Sequence, residues 1–297
     1  MTLPNVSFLG LGAIGTPMAA HLSRATKLTV WNRTASKSKS FADAHSAHVA
    51  NTPHEAAKTA SVFMTCLPTS AEVETVLFGT DGAADALAAG SVVVDCTSGD
   101  PATSRSIAAR LAVREIRFID APVSGGVAGA EAGALTVMCG GDAAVVDSVR
   151  PVLNAFAAKI VLCGPLGSGD AVKAVNNALL AVHIWSTAEG LAMLAKMGVD
   201  ATVALEVINA SSGRSNTSMN LFPERVLTRS FPRTFRLALL DKDAGIAASM
   251  ARDTRTPAEI LELTARLFHE ARLDLGEEAD HVEAVKVVEK RAGITIR

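Results

Sequence analysis

The residues whose types and spacing point most directly to chemistry stand near the start of the chain. Strand-like Val6-Ser7-Phe8-Leu9 runs into Gly10-Leu11-Gly12-Ala13-Ile14-Gly15, and then into a helical pattern from Thr16 to Ser23. In such a loop Gly10 permits the tight turn and Gly12 lets the backbone approach a pyrophosphate. Gly15 lets helix and strand pack closely, with the helix N-terminus aimed at the anion. G-x-G-x-x-G alone is a weak signal, because glycine turns are common. Placed between a strand and a helix, it predicts a dinucleotide site.

The second strand chooses the dinucleotide. About 20 residues past the first glycine, an NAD site places an acid for the ribose 2′-hydroxyl. Here the strand ends Val30-Trp31-Asn32-Arg33-Thr34, with no carboxylate before Asp43. Arg33 suits a 2′-phosphate, and Asn32 and Thr34 add hydrogen-bonding groups. The sequence therefore predicts NADP as the preferred cofactor and NAD as the alternative.

Other reactive residue types are set aside by their spacing. The chain has no tyrosine, which excludes a dehydrogenase built on a Tyr-x-x-x-Lys pair. Cys66, Cys96, Cys139 and Cys163 lie far apart in apolar stretches, so they read as reduced core thiols, with no metal or redox spacing. His45-x-x-His48 could share a helix face but has no third ligand nearby, and no metal site is expected. Met193 and Met197, one helical turn apart, read as core or as a partner-helix contact. Ser211–Ser215 reads as a helix stop and turn, with Arg214 a candidate to face the cleft. Asp280-His281-Val282-Glu283 reads as the solvated start of a last helix.

The elements that must position these residues follow from apolar periodicity. Short β-branched runs at Val6–Leu9, Leu28–Trp31, Val62–Cys66, Val92–Asp95, Phe118–Asp120, Leu135–Met138 and Ile160–Leu162 read as strands. Helical spacing between them, at Pro17–Ser23, Ala71–Phe78, Pro101–Ala112 and Ala143–Phe156, predicts an α/β fold with a Rossmann-type, doubly wound parallel sheet. After Gly164 the pattern is helical only. One long helix runs from Ser168 to Met197, about eight turns. Its middle, Ala178–Trp185, is apolar nearly all round and predicts burial on every side. Helices follow near Ala201–Ala210, Leu237–Met250, Pro257–Ala271 and Val282–Lys290. The expected organisation is a nucleotide-binding domain over 1–164 and an all-α domain over 165–297, joined by the long interdomain helix.

Composition bounds the rest. With 297 residues, 49% of them apolar, the chain has ample material for one large or two medium domains. A formal charge of −2, with no concentrated Lys and Arg, argues against a nucleic-acid or anionic-membrane partner. No stretch of 18 apolar residues occurs, so no membrane span is expected. The uncharged run Val6–Ala20 lacks the preceding basic residues of a secretory signal. A cytoplasmic location is expected.

Four segments together resemble a known family. Gly10–Leu22 (GLGAIGTPMAAHL), Asn32-Arg33-Thr34, Asp120–Gly126 (DAPVSGG) and Gly167–Asn177 (GSGDAVKAVNN) occur in the order and at the intervals of the β-hydroxyacid dehydrogenases. That is the family of 3-hydroxyisobutyrate dehydrogenase and tartronate semialdehyde reductase, and the resemblance covers essentially the full length. It implies that Lys173 is the catalytic acid/base and that Asn177 helps hold the substrate. Helical geometry agrees, since positions i and i+4 share one face. It further implies substrate contacts at Ser124, Gly125, Gly126, Asn176 and Asp243. Cofactor contacts fall at Leu67, Pro68, Ser98 and Lys242, beside Gly10, Leu11, Gly12, Ala13, Ile14, Gly15, Asn32, Arg33 and Thr34. Where the family reads Asp-x-Ser-Thr-Ile-x-Pro, this chain reads Asp95-Cys96-Thr97-Ser98-Gly99-Asp100-Pro101. Ser98 keeps the hydroxyl, and the β-branched neighbour becomes Gly99.

The implied activity is reversible hydride transfer between a nicotinamide and a short 3-hydroxyacid or its semialdehyde. Small apolar neighbours of Lys173, with partial burial beside a second cation, are expected to lower its pKa toward neutrality. Two alternatives share the scaffold: an imine reductase, usually carrying Asp or Tyr where Lys173 stands, and a non-catalytic dinucleotide-binding module. A 6-phosphogluconate dehydrogenase needs a much longer chain. The apolar long helix predicts a homodimer or homotetramer.

Overall fold

The computed structural model describes residues 3–297 and divides into two compact units between Lys173 and Ala174. In the first unit, strands and helices alternate as β1 (Val6–Leu9), α1 (Gly15–Ala25), β2 (Leu28–Trp31), α2 (Ala35–Ala44), β3 (His48–Val49), α3 (Pro53–Ala57), β4 (Val62–Thr65) and α4 (Ser70–Phe78). There follow β5 (Val92–Asp95), α5 (Pro101–Ala112), β6 (Arg117–Asp120), β7 (Val123–Ser124), α6 (Gly126–Glu131), β8 (Leu135–Gly140), α7 (Ala143–Leu153) and β9 (Ala157–Gly164). The long helix α8 (Ser168–Lys196) starts in this unit and continues into the second.

The strands form one sheet in the order β3-β2-β1-β4-β5-β6-β8-β7, with β9 beside β8. Every residue of β1, β4 and β5 is buried, as strands covered by helices on both faces require. Alternate side chains serve opposite layers. Val62 and Met64 pack with α1 residues Met18 and Leu22, whereas Phe63 packs with Leu77, Ile107 and Leu111 of α4 and α5. From β3 to β6 every pairing is parallel, but β8 runs antiparallel to β6 and β7. The doubly wound parallel sheet expected from sequence is present, and β8 adds an antiparallel strand at this edge. A parallel return needs a crossover of a dozen or more residues, and the segment 125–134 is shorter than that.

The second unit is helical: the rest of α8, α9 (Ala201–Asn209), a π-helical segment (Thr217–Leu227), α10 (Leu237–Asp253), α11 (Glu259–Leu275), a 3-10 turn (His281–Ala284) and α12 (Val285–Ala292). Its core gathers Trp185, Leu191, Phe222, Phe268, Val282 and Val285.

Several local expectations are corrected. Within Ala178–Trp185, Leu179 is 46% exposed and His183 is exposed, so this stretch of α8 is not buried all round. Met193 and Met197 are 61% and 72% exposed, which removes the core reading. Val172, Val175 and Leu179 are likewise exposed on α8, and Met197 follows just past its end. By length and composition α8 would even suffice to cross a bilayer, a test that core helices of soluble proteins also pass. His45 terminates α2 and His48 lies in β3, so the two share no helix face.

Apolar spacing does not predict the helical stretch 217–227; Pro223, without an N–H, interrupts the α-helical periodicity there. Asp280 is not solvated. It is 1% exposed and accepts from the N–H groups of Thr234, Phe235 and Val282 at 2.9–3.1 Å. Burial alone would raise its pKa, but the His281 hydrogen bond and charge and these backbone donors hold it well below the usual carboxylate range.

Candidate functional site

β1 and β4 are neighbours from which the chain departs in opposite directions across the sheet. A doubly wound sheet opens its ligand crevice at the carboxyl ends of such strands. Gly10 follows β1 with φ +107°, and a methyl group there would collide with the Cys66 carbonyl after β4. A methyl group at Gly15 would strike the Gly10 carbonyl. Both glycines are therefore required by the protein's own packing. Gly12 is different: a methyl group there would meet nothing within 4 Å. Its missing side chain leaves open space beside the start of α1. That start has no side-chain cap and no acid in its first turn. Open space, uncapped N–H groups and a positive dipole end fit a pyrophosphate, so residues 10–15 fit a nicotinamide dinucleotide.

At the end of β2, the Asn32 side-chain oxygen accepts from Leu11 N–H at 3.0 Å, and its amide donates to the Thr34 carbonyl at 3.2 Å. Asn32 thus clips the glycine loop to the next strand. Arg33 and Thr34 are exposed, and Thr34 precedes α2, whose first turn contains no acid. Arg33 makes no ion pair among the described residues.

The loops after β4 and β5 are tied together by Leu67 N–H donating to Thr97 Oγ1 at 3.0 Å. Leu67, Pro68 and Ser98 are half-buried in these loops. Beneath them lie three buried carboxylates, Asp95, Asp120 and Asp170, to which spacing alone assigns no role. Asp95 accepts from Thr65 Oγ1 and Thr97 N–H. Burial pushes its pKa up to about 6, against these bonds and with the Asp120 charge. Asp120 accepts from the N–H groups of Gly167 and Asp170 at 2.7 and 2.9 Å, and so caps α8. Asp170 accepts from Gly99 N–H at 3.1 Å and Ser104 Oγ at 2.6 Å. Burial, then the charges of Asp120 and Asp95, raise the Asp170 pKa well above the usual range. A recognisable signal was present: an acid ending each of two apolar strands, and one inside an apolar helix start one turn before Lys173.

Ser124 ends β7, and Gly125 and Gly126 follow with φ +136° and +65°. Two successive left-handed residues, both exposed, present main-chain N–H groups at the start of α6. Lys173 lies early in α8 and is only 9% exposed. Farther along α8, Asn177 is buried and donates to Asp243 Oδ2 at 2.6 Å, while its own oxygen accepts from Asn176 Nδ2 at 3.1 Å. Lys242 Nζ pairs with Asp243 Oδ1 at 3.0 Å, so in the second unit α10 holds Asn177 through a charged carboxylate.

Comparison with known proteins bears directly on this arrangement. Residues 5–164 match a family model described as the NAD binding domain of 6-phosphogluconate dehydrogenase. Residues 167–288 match one described as the NAD-binding domain of NADP-dependent 3-hydroxyisobutyrate dehydrogenase. The chain is 34% identical to 2-(hydroxymethyl)glutarate dehydrogenase of Eubacterium barkeri, over 98% of this chain and 97% of that one. It is 35% identical to an NAD-dependent L-serine dehydrogenase of Pseudomonas aeruginosa, over 88% and 91%. Among solved structures, Mycobacterium tuberculosis 3-hydroxyisobutyrate dehydrogenase with L-serine superposes at TM-score 0.87, with 29% identity, covering 96% of this chain and 99% of that one.

Proposed function

The chain belongs to the β-hydroxyacid dehydrogenase family and is an NAD(P)-dependent hydroxyacid dehydrogenase, and from that premise we propose that it prefers NADP, acts on a short 3-hydroxyacid or its semialdehyde, and uses Lys173 as general acid/base. The observation that carries this reading is Lys173 itself, an amine buried near the start of α8, four residues before Asn177. Lysine is seldom buried, and an amine held at a fixed point on a helix has the geometry that general acid/base work requires.

The nicotinamide, when bound, supplies hydride acceptance and donation at its C4. Everything else falls to the chain. Lys173 Nζ takes the hydroxyl proton during oxidation and returns it to the carbonyl oxygen during reduction. Ser124 Oγ and the N–H groups of Gly125 and Gly126 bind the substrate carboxylate. Asn177, oriented by Asp243, and Asn176 hold the substrate, and Asp243 borders it. Leu67, Pro68, Ser98 and Lys242 line the cofactor, with Gly10 to Gly15 on its pyrophosphate.

NADP preference is supported by an exposed Arg33 beside the acid-free start of α2. Asn32 contributes by holding the loop, and Thr34 adds a hydroxyl. We further propose a cytoplasmic homodimer or homotetramer that engages neither nucleic acid nor membrane. Exposed Leu179 and Met193 on α8, with Met197 just past its end, support association. A spectrophotometric screen of NADPH and NADH against short semialdehydes, with the reverse reactions on the hydroxyacids, tests the reading. It requires turnover with one such pair and a lower KM for NADPH.

A further inference from the structure

Segment 97–100 is fixed at both ends and held in the middle from elsewhere in the fold. Thr97 receives Leu67 N–H, and Asp100 N–H donates to Ser70 Oγ at 2.9 Å. Asp100 also caps α5 by accepting from Thr103 N–H at 2.8 Å. Between these anchors, Gly99 N–H reaches Asp170 Oδ1 at 3.1 Å. The other oxygen, Oδ2, takes Ser104 Oγ at 2.6 Å, one turn into α5. Asp170 is 1% exposed and lies three residues before Lys173 on α8.

The fit is specific to the residue types in this chain. A methyl group at Gly99 would lie 3.0 Å from Ser70 Oγ, and 3.1 and 3.3 Å from the Asp170 oxygens. A Cβ at position 99 would press on the Asp170 carboxyl and on Ser70 Oγ, which would have to give by a few tenths of an ångström. Gly99 and Asp170 form a matched pair, and Ser98 rides on the segment they hold.

We propose that Asp170 is a positioning residue for hydride transfer: it locks the Ser98–Gly99 turn and the first turns of α8, which carry Lys173, into one register. This rests on the functional reading above, in which Ser98 borders the cofactor and Lys173 moves the proton. Both hydrogen bonds are compatible with a neutral carboxyl, whose O–H donates to Ser104 Oγ while Oδ1 accepts from Gly99. Burial beside Asp120 and Asp95 favours that neutral form. An asparagine reproduces the same donor and acceptor; an alanine supplies neither.

The test compares Asp170→Asn, Asp170→Ala and Ser104→Ala in the full-length enzyme. Steady-state kinetics, NADPH affinity by fluorescence and amide hydrogen exchange of the peptide containing Gly99 are read for each. Asp170→Ala should lower kcat by about 10- to 100-fold, the scale of an ångström's misplacement. NADPH affinity should stay within threefold, because residues 10–15 and Arg33 are untouched. Gly99 exchange should quicken. Asp170→Asn should keep kcat within threefold of the wild type, a rescue that a requirement for charge would not allow. Ser104→Ala removes one of the two bonds, so it should show an intermediate loss, and it serves if Asp170→Ala fails to fold. The proposal is overturned by unchanged Gly99 exchange in Asp170→Ala, by kcat within twofold, or by Asp170→Asn as impaired as the alanine. A wild-type enzyme without hydroxyacid turnover would overturn the functional reading instead, and Gly99 exchange would still decide whether the tether exists.

Discussion

Asn177 and Asp243 are joined by a hydrogen bond of 2.6 Å between two side chains that are each less than 5% exposed. A buried amide donating to a carboxylate is oriented, because its oxygen must then face the other way, here toward Asn176. Asp243→Ala leaves the Asn177 amide without that acceptor. Stability should fall by about 1.5–3 kcal/mol, the worth of a charged hydrogen bond. The KM for hydroxyacid should rise while that for the cofactor changes little. Chemical denaturation and steady-state kinetics read the two effects separately.

Arg33→Ala should separate the two cofactors. One charged hydrogen bond to a 2′-phosphate is worth about 10- to 150-fold, so the KM for NADPH should rise by that factor. The KM for NADH should stay within about threefold. Equal losses with both cofactors would assign Arg33 to something other than the phosphate.

Asp95 makes stability depend on pH in a defined direction. With its pKa raised to about 6 in the folded state, it keeps a proton that the unfolded chain releases near pH 4. Its contribution is therefore whole below pH 4 and is lost as pH rises through about 6. Raising a carboxyl from about 4 to about 6 is worth at most about 3 kcal/mol. Asp95→Asn keeps an acceptor for Thr65 and Thr97 and does not titrate. The difference in unfolding free energy between variant and wild type should change across pH 4–6 and be flat above it. Asp280, whose pKa moves in the opposite direction, acts only below that window.

The exposed apolar residues of α8 predict self-association. Light scattering at micromolar concentration should give a multiple of the chain mass. Met193→Glu with Met197→Glu should shift it toward the monomer, because a desolvated glutamate in an apolar contact is costly. A monomeric wild type would remove the proposed assembly.

The parts of the fold legible in the sequence are those whose signal is local. Apolar strands such as Val92–Asp95 and the glycine loop after Val6–Leu9 carry their own punctuation, and the structure places them where the spacing predicts. The two-residue strands β3 and β7 are not legible that way, because distant pairing with β2 and β8 defines them. The same holds for charge. Asp280 reads as a solvated helix start until Arg225, Thr234 and Phe235 close over it from more than 40 residues away. Of the candidate site, Lys173 and Asn177 are visible through their motif and helical spacing. Asp120 and Asp170 stand in the same motif segments, but their work is not legible there, because the backbone N–H groups they hold come mostly from distant parts of the chain.

In the proposed mechanism Lys173 moves the proton. The most direct test follows NADPH oxidation at 340 nm with the preferred semialdehyde in wild type and Lys173→Ala, with NADPH affinity measured alongside. Lys173→Ala should show a kcat about 10²- to 10⁴-fold lower, the range for a positioned acid/base, with NADPH bound within threefold of the wild type. A variant turning over within tenfold of the wild type would contradict it, and the proton would have to pass through another group.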